Sequence, residues 1–248
     1  MSPPLPLSLS LPNAQSPSGF YNIKQEFRLN NKIQMISDNN WQEYQEIAQN
    51  TEKTGNSRLL SDWYDQKYQL FEGGTPAAHK CCELLYQNLI SSDNLQILDV
   101  GCGTGDQALL LQSLGVQSAS FYGIDMSQAM LESAKSKKLY KELTNSILPE
   151  IPYPDNKFDL VISAGTLCSP GNAPVETLSE MIRVTKPGGL LCFSYRLNWF
   201  ENEESGWKES HEQLVQKGLI KELVRKIDAY IPSQNVIGLY FVCQKGQL

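Results

Sequence analysis

A short apolar run, Ile97-Leu98-Asp99-Val100, ends in a loop with glycine at every second position, Gly101, Gly103 and Gly105, and the chain then reads as a helix over 107–114. Glycine at such a bend lets the backbone take unusual dihedrals and lets a ligand approach the main chain closely. The helix that follows turns its free amides, and the positive end of its dipole, toward the same bend. A strand, a glycine loop and a helix in this order make sense in a sheet covered by helices, which directs the reading toward α/β architectures. Alone, the loop is compatible with nucleotide-binding proteins of several kinds and with a plain strand–helix turn.

The alternation continues downstream. Apolar runs at 121–125, 158–163 and 190–195 read as strands, with a weaker one at 144–147 and further candidates at 223–229 and 237–243. Between them, Ser127 caps a helix carrying Ala129, Met130, Leu131 and Ala134, and residues 176–185 and 208–217 show helical patterning. Lys186-Pro187-Gly188-Gly189 reads as a turn before the strand at 190–195. Strands that are continuously apolar rather than alternating are buried on both faces, as in a largely parallel sheet. Upstream, Thr75-Pro76 opens a helix with Ala77, Ala78, Cys81, Cys82, Leu84, Leu85 and Leu89 at helical spacing. Asp125 closes the second strand about twenty residues after the loop, where a carboxylate accepts hydrogen bonds from both ribose hydroxyls of a nucleoside.

The chain divides into a Pro- and Ser-rich tail at 1–19, expected to be disordered, a polar arm at 20–56 that is partly helical over 41–49, and a folded domain at 57–248. The tail lacks the basic start and unbroken apolar core of a secretory signal. No stretch approaches the roughly 18 apolar residues of a membrane span. A net charge of −6, with Lys and Arg scattered, argues against nucleic acid or a membrane surface as partner. Six cysteines without a CxxC pair, and two histidines without zinc spacing, predict reduced buried thiols, no metal and a cytoplasmic location.

Four segments in order carry a resemblance. Ile97-Leu98-Asp99-Val100-Gly101-Cys102-Gly103-Thr104-Gly105, Tyr122-Gly123-Ile124-Asp125-Met126-Ser127 with Met130-Leu131, Ile151 through Val161 (Ile-Pro-Tyr-Pro-Asp-Asn-Lys-Phe-Asp-Leu-Val) and Arg183-Val184-Thr185-Lys186-Pro187-Gly188-Gly189 resemble the signatures of the class I S-adenosylmethionine-dependent methyltransferases. A narrower likeness, to the methyltransferase-like proteins of the Williams–Beuren syndrome region, rests on Lys138-Leu139-Tyr140, the Lys-Pro-Gly-Gly turn and Ile237-Gly238-Leu239-Tyr240.

The resemblance implies a Rossmann-like α/β fold: a seven-stranded, mostly parallel sheet with the last strand antiparallel and helices on both faces. It implies S-adenosyl-L-methionine as cofactor. Gly101 and Gly103 would line its methionine part with Cys102 and Gly105 completing the loop, and Asp99 would lie near its amino group. Asp125 would hold the ribose and Met126 would pack on the adenine. Ile147 and Leu148 stand where many members carry an aspartate for the adenine amino group, so adenine would rely on backbone and apolar contacts. Tyr68 resembles a tyrosine that touches the cofactor, one residue out of the usual spacing from Trp63. Ser163, at the end of the fourth strand, joins the cofactor set, and the acceptor would sit beyond it near Ala164, Gly165, Thr166, Leu167 and Cys168, rimmed by residues 169–172 and completed by Tyr195 and Arg196. The sequence Ser163-Ala164-Gly165-Thr166 is not the Asn-Pro-Pro-Tyr/Phe motif of enzymes methylating DNA or protein amides, which favours a small-molecule acceptor. His79 reads as structural and His211 as lying on an exposed helix, so no general base is assigned. In-line transfer from a sulfonium gains about 7–11 kcal/mol from positioning alone. Two other readings compete: a non-catalytic, regulatory S-adenosylmethionine-binding protein whose arm covers the acceptor pocket, and a nicotinamide oxidoreductase, disfavoured because the loop is Gly-x-Gly-x-Gly rather than Gly-x-Gly-x-x-Gly.

Overall fold

The computed structural model describes residues 38–54, 56–67, 74–167, 171–231 and 235–247. Its strands are β1 (Gln96–Val100), β2 (Ser120–Asp125), β3 (Tyr140–Asn145), β4 (Phe158–Ser163), β5 (Thr185–Arg196), β6 (Ile220–Ile231) and β7 (Val236–Lys245). They form one seven-stranded sheet in the order β3-β2-β1-β4-β5-β7-β6. The first five are parallel, and β7 runs antiparallel between β5 and β6. This is the α/β sheet that the resemblance implies. Because β1 pairs with β2 on one side and β4 on the other, the direction of winding reverses at β1. Open α/β sheets bind ligands in the crevice above such a switch point.

The helices are α1 (Asp38–Thr54), α2 (Ser57–Lys67), α3 (Pro76–Gln87), α4 (Asp106–Leu114), α5 (Gln128–Ser136), α6 (Glu176–Val184), a short α7 (Leu197–Phe200) and α8 (Trp207–Gln216). Thr75 caps α3, accepting from the Ala78 amide, with Pro76 in the first turn, as the sequence predicts. Ser127 caps α5 by accepting from the Met130 amide at 3.2 Å. One face of the sheet packs Leu98, Val161, Phe193 and Phe241 against Leu178 and Met181 of α6, Phe200 of α7 and Trp207 of α8. On the other face Cys192 of β5 donates its thiol to the Cys81 carbonyl of α3 at 3.3 Å. The described cysteines, Cys81, Cys82, Cys102, Cys192 and Cys243, are free and buried.

Several boundaries differ from expectation. The third strand lies at Tyr140–Asn145 rather than 144–147, because its pairing with β2 starts at Phe121↔Tyr140. The Lys-Pro-Gly-Gly turn is absorbed into β5: pairing with β4 passes from Phe158↔Thr185 to Leu160↔Leu190, so residues 186–189 bulge out of a strand that began earlier. His211 is not on an exposed surface. It is fully buried, its Nε2 lies 2.8 Å from Glu222 Oε1, and its ring packs 4.3 Å from that of Phe241. The stripe Trp207, His211, Leu214 faces the sheet, and burial lowers the His211 pKa against the pull of Glu222.

α1 and α2 pack on one another through Tyr44, Ala48, Leu60 and Trp63. α2 is tied to the start of α5. Asp65 Oδ1 accepts from Ser127 Oγ at 2.5 Å and from the Ala129 amide at 3.2 Å, while Ser61 Oγ donates to the Met126 carbonyl at 2.9 Å. α1 comes close to the segment after β4, where a side chain on Gly171 would lie 2.8 Å from the Ala48 carbonyl oxygen. Residues 1–37, which include the predicted tail, lie outside the described residues.

Candidate cofactor site

The glycine loop sits at the switch point and is fixed by the main chain of its neighbour. The amides of Gly101 and Cys102 both donate to the Ile124 carbonyl at 2.9 Å, and the Gly105 amide turns back to the Cys102 carbonyl at 2.9 Å. Gly101 has φ +70, and a Cβ there would collide with Thr166 Oγ1, so the loop and the segment after β4 touch only because this side chain is missing. Gly103 is different. A Cβ there would meet only Met130 Sδ, at 3.6 Å, which leaves open space above the main chain.

Asp125 joins β2 to this loop. One carboxylate oxygen accepts from the Gly103 amide at 2.8 Å and the other from the Ser127 amide at 2.9 Å. Each oxygen keeps further acceptor capacity, and Asp125 borders the cavity. Burial raises its pKa, opposed by those backbone donors. At the start of α4, Asp106 accepts from Thr104 Oγ1 at 2.6 Å and from Lys137 Nζ at 2.8 Å, and Lys137 also donates to the Thr104 carbonyl. Beneath the loop, Asp99 accepts from Tyr140 Oη at 2.7 Å and from Gln107 Nε2 at 2.5 Å. Burial pushes its pKa up to about 7; the Tyr140 hydrogen bond resists, and the nearby carboxylates of Asp125 and Asp106 add to the rise. Asp106 is neutralised by Lys137 and Asp99 is only about half ionised near pH 7, so the negative field that suits a cation here comes chiefly from Asp125.

The cavity draws its walls from two parts of the chain: Gly101, Cys102, Gly103, Thr104, Asp106, Gln107, Ile124, Asp125, Met126, Met130, Ser146 and Leu148 from the loop and the elements around it, and Tyr64, Gly74, Thr75, Ala78, Ala164, Gly165, Thr166 and Asn172 from α2, α3 and the segment after β4. The two sets touch, since a Cβ on Gly74 would lie 3.3 Å from Asp106 Cβ. Of the residues expected from sequence, Gly101, Cys102, Gly103, Asp125, Met126, Leu148, Ala164, Gly165, Thr166 and Asn172 border it, whereas Arg196 does not. Gly105 caps α4 with φ +85 and shapes the loop from behind. Asp99 lies under the loop, held by Tyr140 and Gln107, rather than in the wall. Ser163 is buried and donates to the Val100 carbonyl at 2.9 Å, tying β4 to β1. Ile147 is 47% exposed and is not part of the lining, whereas its neighbour Leu148 is. Leu167 and Tyr195 are core residues, both in the cluster with α6 to α8. Tyr195 misses the cavity because successive strand residues point to opposite faces, and its face is the α8 side. Tyr68 and Cys168 lie outside the described residues.

The sequence reading missed Tyr64, Gly74, Thr104, Asp106, Gln107, Met130 and Ser146. For Asp106, Gln107 and Met130 a signal existed: they occupy the first turns of the two helices whose N-termini face the cavity. Tyr64 reaches it only through the docking of α2, and its Oη donates to Asn172 Oδ1 at 3.3 Å. No local pattern announces that. Among the described residues, no group of His, Cys, Asp or Glu is arranged to hold a metal ion, and no helix is long and apolar enough to cross a membrane.

A seven-stranded sheet of this order, with a glycine loop and an acidic β2 terminus at its switch point, defines a Rossmann-like fold of the methyltransferase type. The chain belongs to the methyltransferase domain family, whose model matches residues 91–228, and to the class I, S-adenosylmethionine-dependent branch. It is 38% identical over 134 residues to methyltransferase-like protein 27 of Homo sapiens, covering 52% of each chain. It is 39% identical over 103 residues to demethylmenaquinone methyltransferase of Symbiobacterium thermophilum, covering 39% of this chain and 41% of that one. The chain thus spans about half or less of the length of these curated relatives. Among solved structures, the [4+2]-cyclase SpnF matches with TM-score 0.58 at 19% identity, over 77% of this chain and 96% of that one, a likeness of fold alone.

Proposed function

We propose that the protein binds S-adenosyl-L-methionine in this cavity and transfers its methyl group to a small-molecule acceptor. The observation that carries the reading is the joint made by Gly103 and Asp125, in which an open stretch of main chain and a ribose-holding carboxylate meet through a 2.8 Å hydrogen bond at the switch point. The cofactor supplies an activated methyl on a positively charged sulfur. Asp125 orients the ribose, Met126 and Leu148 pack on the adenine without an acidic partner, and the amides of α4 with Gly101 and Gly103 hold the methionine end. The carboxylate of Asp125 favours the cationic cofactor. Asp99 contributes through the field beneath the loop rather than by contact.

The transferable methyl then faces walls drawn from Tyr64, Thr75, Ala164, Gly165, Thr166 and Asn172; the carboxylates in the described lining, Asp106 and Asp125, are engaged by Lys137 and by the Gly103 and Ser127 amides, and no histidine is among the described lining residues. Catalysis there rests on positioning. Relatives named as demethylmenaquinone methyltransferases, and a net charge of −6, support a small acceptor over nucleic acid. Free buried thiols fit a cytoplasmic location.

Calorimetry with S-adenosylmethionine, S-adenosylhomocysteine and nicotinamide dinucleotide tests the cofactor, and S-adenosylhomocysteine release across an acceptor panel tests turnover. Binding of the two sulfur nucleosides but not the dinucleotide, with turnover on at least one acceptor, is the expected result. Folded protein that ignores both nucleosides overturns the reading. Binding with no turnover on any acceptor replaces it with a regulatory, non-catalytic one.

A further inference from the structure

The entry to α4 forms part of the cavity wall, through Thr104, Asp106 and Gln107. Gly105 stands at its N-cap and offers no side chain to the first amides of the helix. Those amides have no partner within α4. Asp106 is the acid of the first turn, where a negative side chain is drawn to the helix terminus and competes for the same donors as an anionic ligand. Its carboxylate is committed elsewhere. One oxygen accepts from Thr104 Oγ1 at 2.6 Å and the other from Lys137 Nζ at 2.8 Å.

Lys137 comes from another element. It is the C-cap of α5, a position at which a lysine ordinarily faces the carbonyls of its own helix. Its ammonium reaches the glycine loop instead, donating to the Thr104 carbonyl at 2.6 Å as well as to Asp106. The end of α5 can lie against the loop because Gly105 lacks a side chain: a Cβ there would stand 2.9 Å from Tyr140 Cε2 and 3.0 Å from Ala134 Cβ. Thr104, Asp106 and Lys137 thus close a ring of hydrogen bonds behind the cavity wall. The side chains of Lys137 and Asp106 are 23% and 9% exposed, so solvent and salt screen this pair less than they screen a surface pair.

The amino-acid end of the cofactor carries a carboxylate, and the first amides of a helix favour such an anion. An uncompensated Asp106 would repel it and compete for the same amides. We propose that Lys137 is a positioning residue of the cofactor site: it holds the Asp106 carboxylate and the Thr104 carbonyl away from the entry to α4, and so makes the site select a nucleoside that bears a free carboxylate. Lys137 acts through Asp106 and the loop rather than by touching the cofactor. The proposal rests on the methyltransferase reading above and deepens it, since it assigns the cofactor's carboxylate to the entry of α4.

Calorimetry on the full chain compares S-adenosylhomocysteine with S-adenosyl-3-thiopropylamine, the same thioether without its carboxylate. The parent is expected to bind the acid at least tenfold tighter than the amine. Lys137→Met is expected to weaken the acid at least tenfold and to leave the amine bound as tightly as before or more tightly, because the stranded Asp106 charge repels one ligand and attracts the other. Lys137→Arg keeps a cation beside Asp106 and retains the preference. Adding Asp106→Asn to Lys137→Met removes the stranded charge and recovers most of the preference. A loop that had merely loosened would weaken both ligands alike. A parent without the preference, a preference unchanged in Lys137→Met, or equal weakening of acid and amine overturns the proposal while the cofactor reading stands. Should Lys137→Met fail to fold, the parent and the double variant decide: a parent that binds acid and amine alike, or a double variant that weakens both equally, overturns the proposal. Folded parent that binds neither ligand nor S-adenosylmethionine overturns the cofactor reading, and this proposal with it.

Discussion

Replacing Asp99 with asparagine isolates the electrostatics beneath the glycine loop. The carboxylate accepts from Tyr140 Oη and Gln107 Nε2, and burial holds its pKa at about 7 against an ordinary 3.8. Asparagine keeps the shape and one acceptor, for Tyr140. Its new amide donor meets Gln107, whose Oε1 is buried without a hydrogen-bond partner and can accept once the amide flips. The raised value means that, between the two pKa values, the folded state binds more protons than the unfolded one, so stability falls as pH rises through that window. The contribution is fully present below 3.8 and gone above about 7. The whole gap corresponds to about 4 kcal/mol. Between about pH 5 and about pH 8 the parent should lose roughly 2.5 kcal/mol relative to Asp99→Asn. Urea unfolding of both proteins, followed by circular dichroism across that range, measures the difference directly, and groups common to both cancel. Parallel curves would refute the reasoning. A cationic ligand above the loop favours ionised Asp99, so S-adenosylmethionine affinity in the parent should rise with pH through neutrality and in the variant should not.

Gly101→Ala places a methyl group on Thr166 at a left-handed φ, and strain and overpacking of this kind cost about 1–3 kcal/mol each; thermal denaturation should show the loss, and adding Thr166→Ala should recover part of it. Asp125→Ala leaves the Gly103 and Ser127 amides without their carboxylate, each such bond being worth about 1.5–3 kcal/mol, so calorimetry should show S-adenosylmethionine bound at least tenfold more weakly. Asp65→Ala removes the acceptor shared by Ser127 Oγ and the Ala129 amide, a loss of about 1 kcal/mol, and hydrogen exchange should quicken in α1 and α2 while α3 keeps its protection. Equal protection in all three helices would show that α2 is held by packing alone.

The fold was legible wherever sequence distance was short. Ile97 to Gly105 announces a strand, a bend and a helix start within nine residues, and Thr75 and Ser127 announce their helices by capping chemistry that neighbours alone decide. Legibility failed where tertiary packing chose the face. Tyr195 and Arg196 are adjacent and neither borders the cavity; Tyr195 is carried into the core on the α8 side by the face that β5 presents there. His211 looked like a polar residue on a surface helix until the sheet supplied Phe193, Phe241 and Glu222 around it. Ile147 and Leu148 pose the same problem in the chain leaving β3, where Leu148 joins the lining of the cavity and Ile147 does not.

The two sets of cavity walls are built from different materials, and that difference accounts for what a sequence reader could and could not see. The loop walls are made of main chain and of the acids around it within one stretch, 99–148, so their arrangement is written locally. The other walls are assembled from Tyr64 of α2, Gly74 and Thr75 before α3, Ala78 within it, and Ala164, Gly165, Thr166 and Asn172 after β4, brought from distant parts of the chain. Contacts gathered from such distant segments can change one at a time without disturbing the glycine loop. Under the proposed function, substrate choice would lie with α2, α3 and the segment after β4, and exchanging those segments with a relative's should move acceptor preference while leaving cofactor affinity in place.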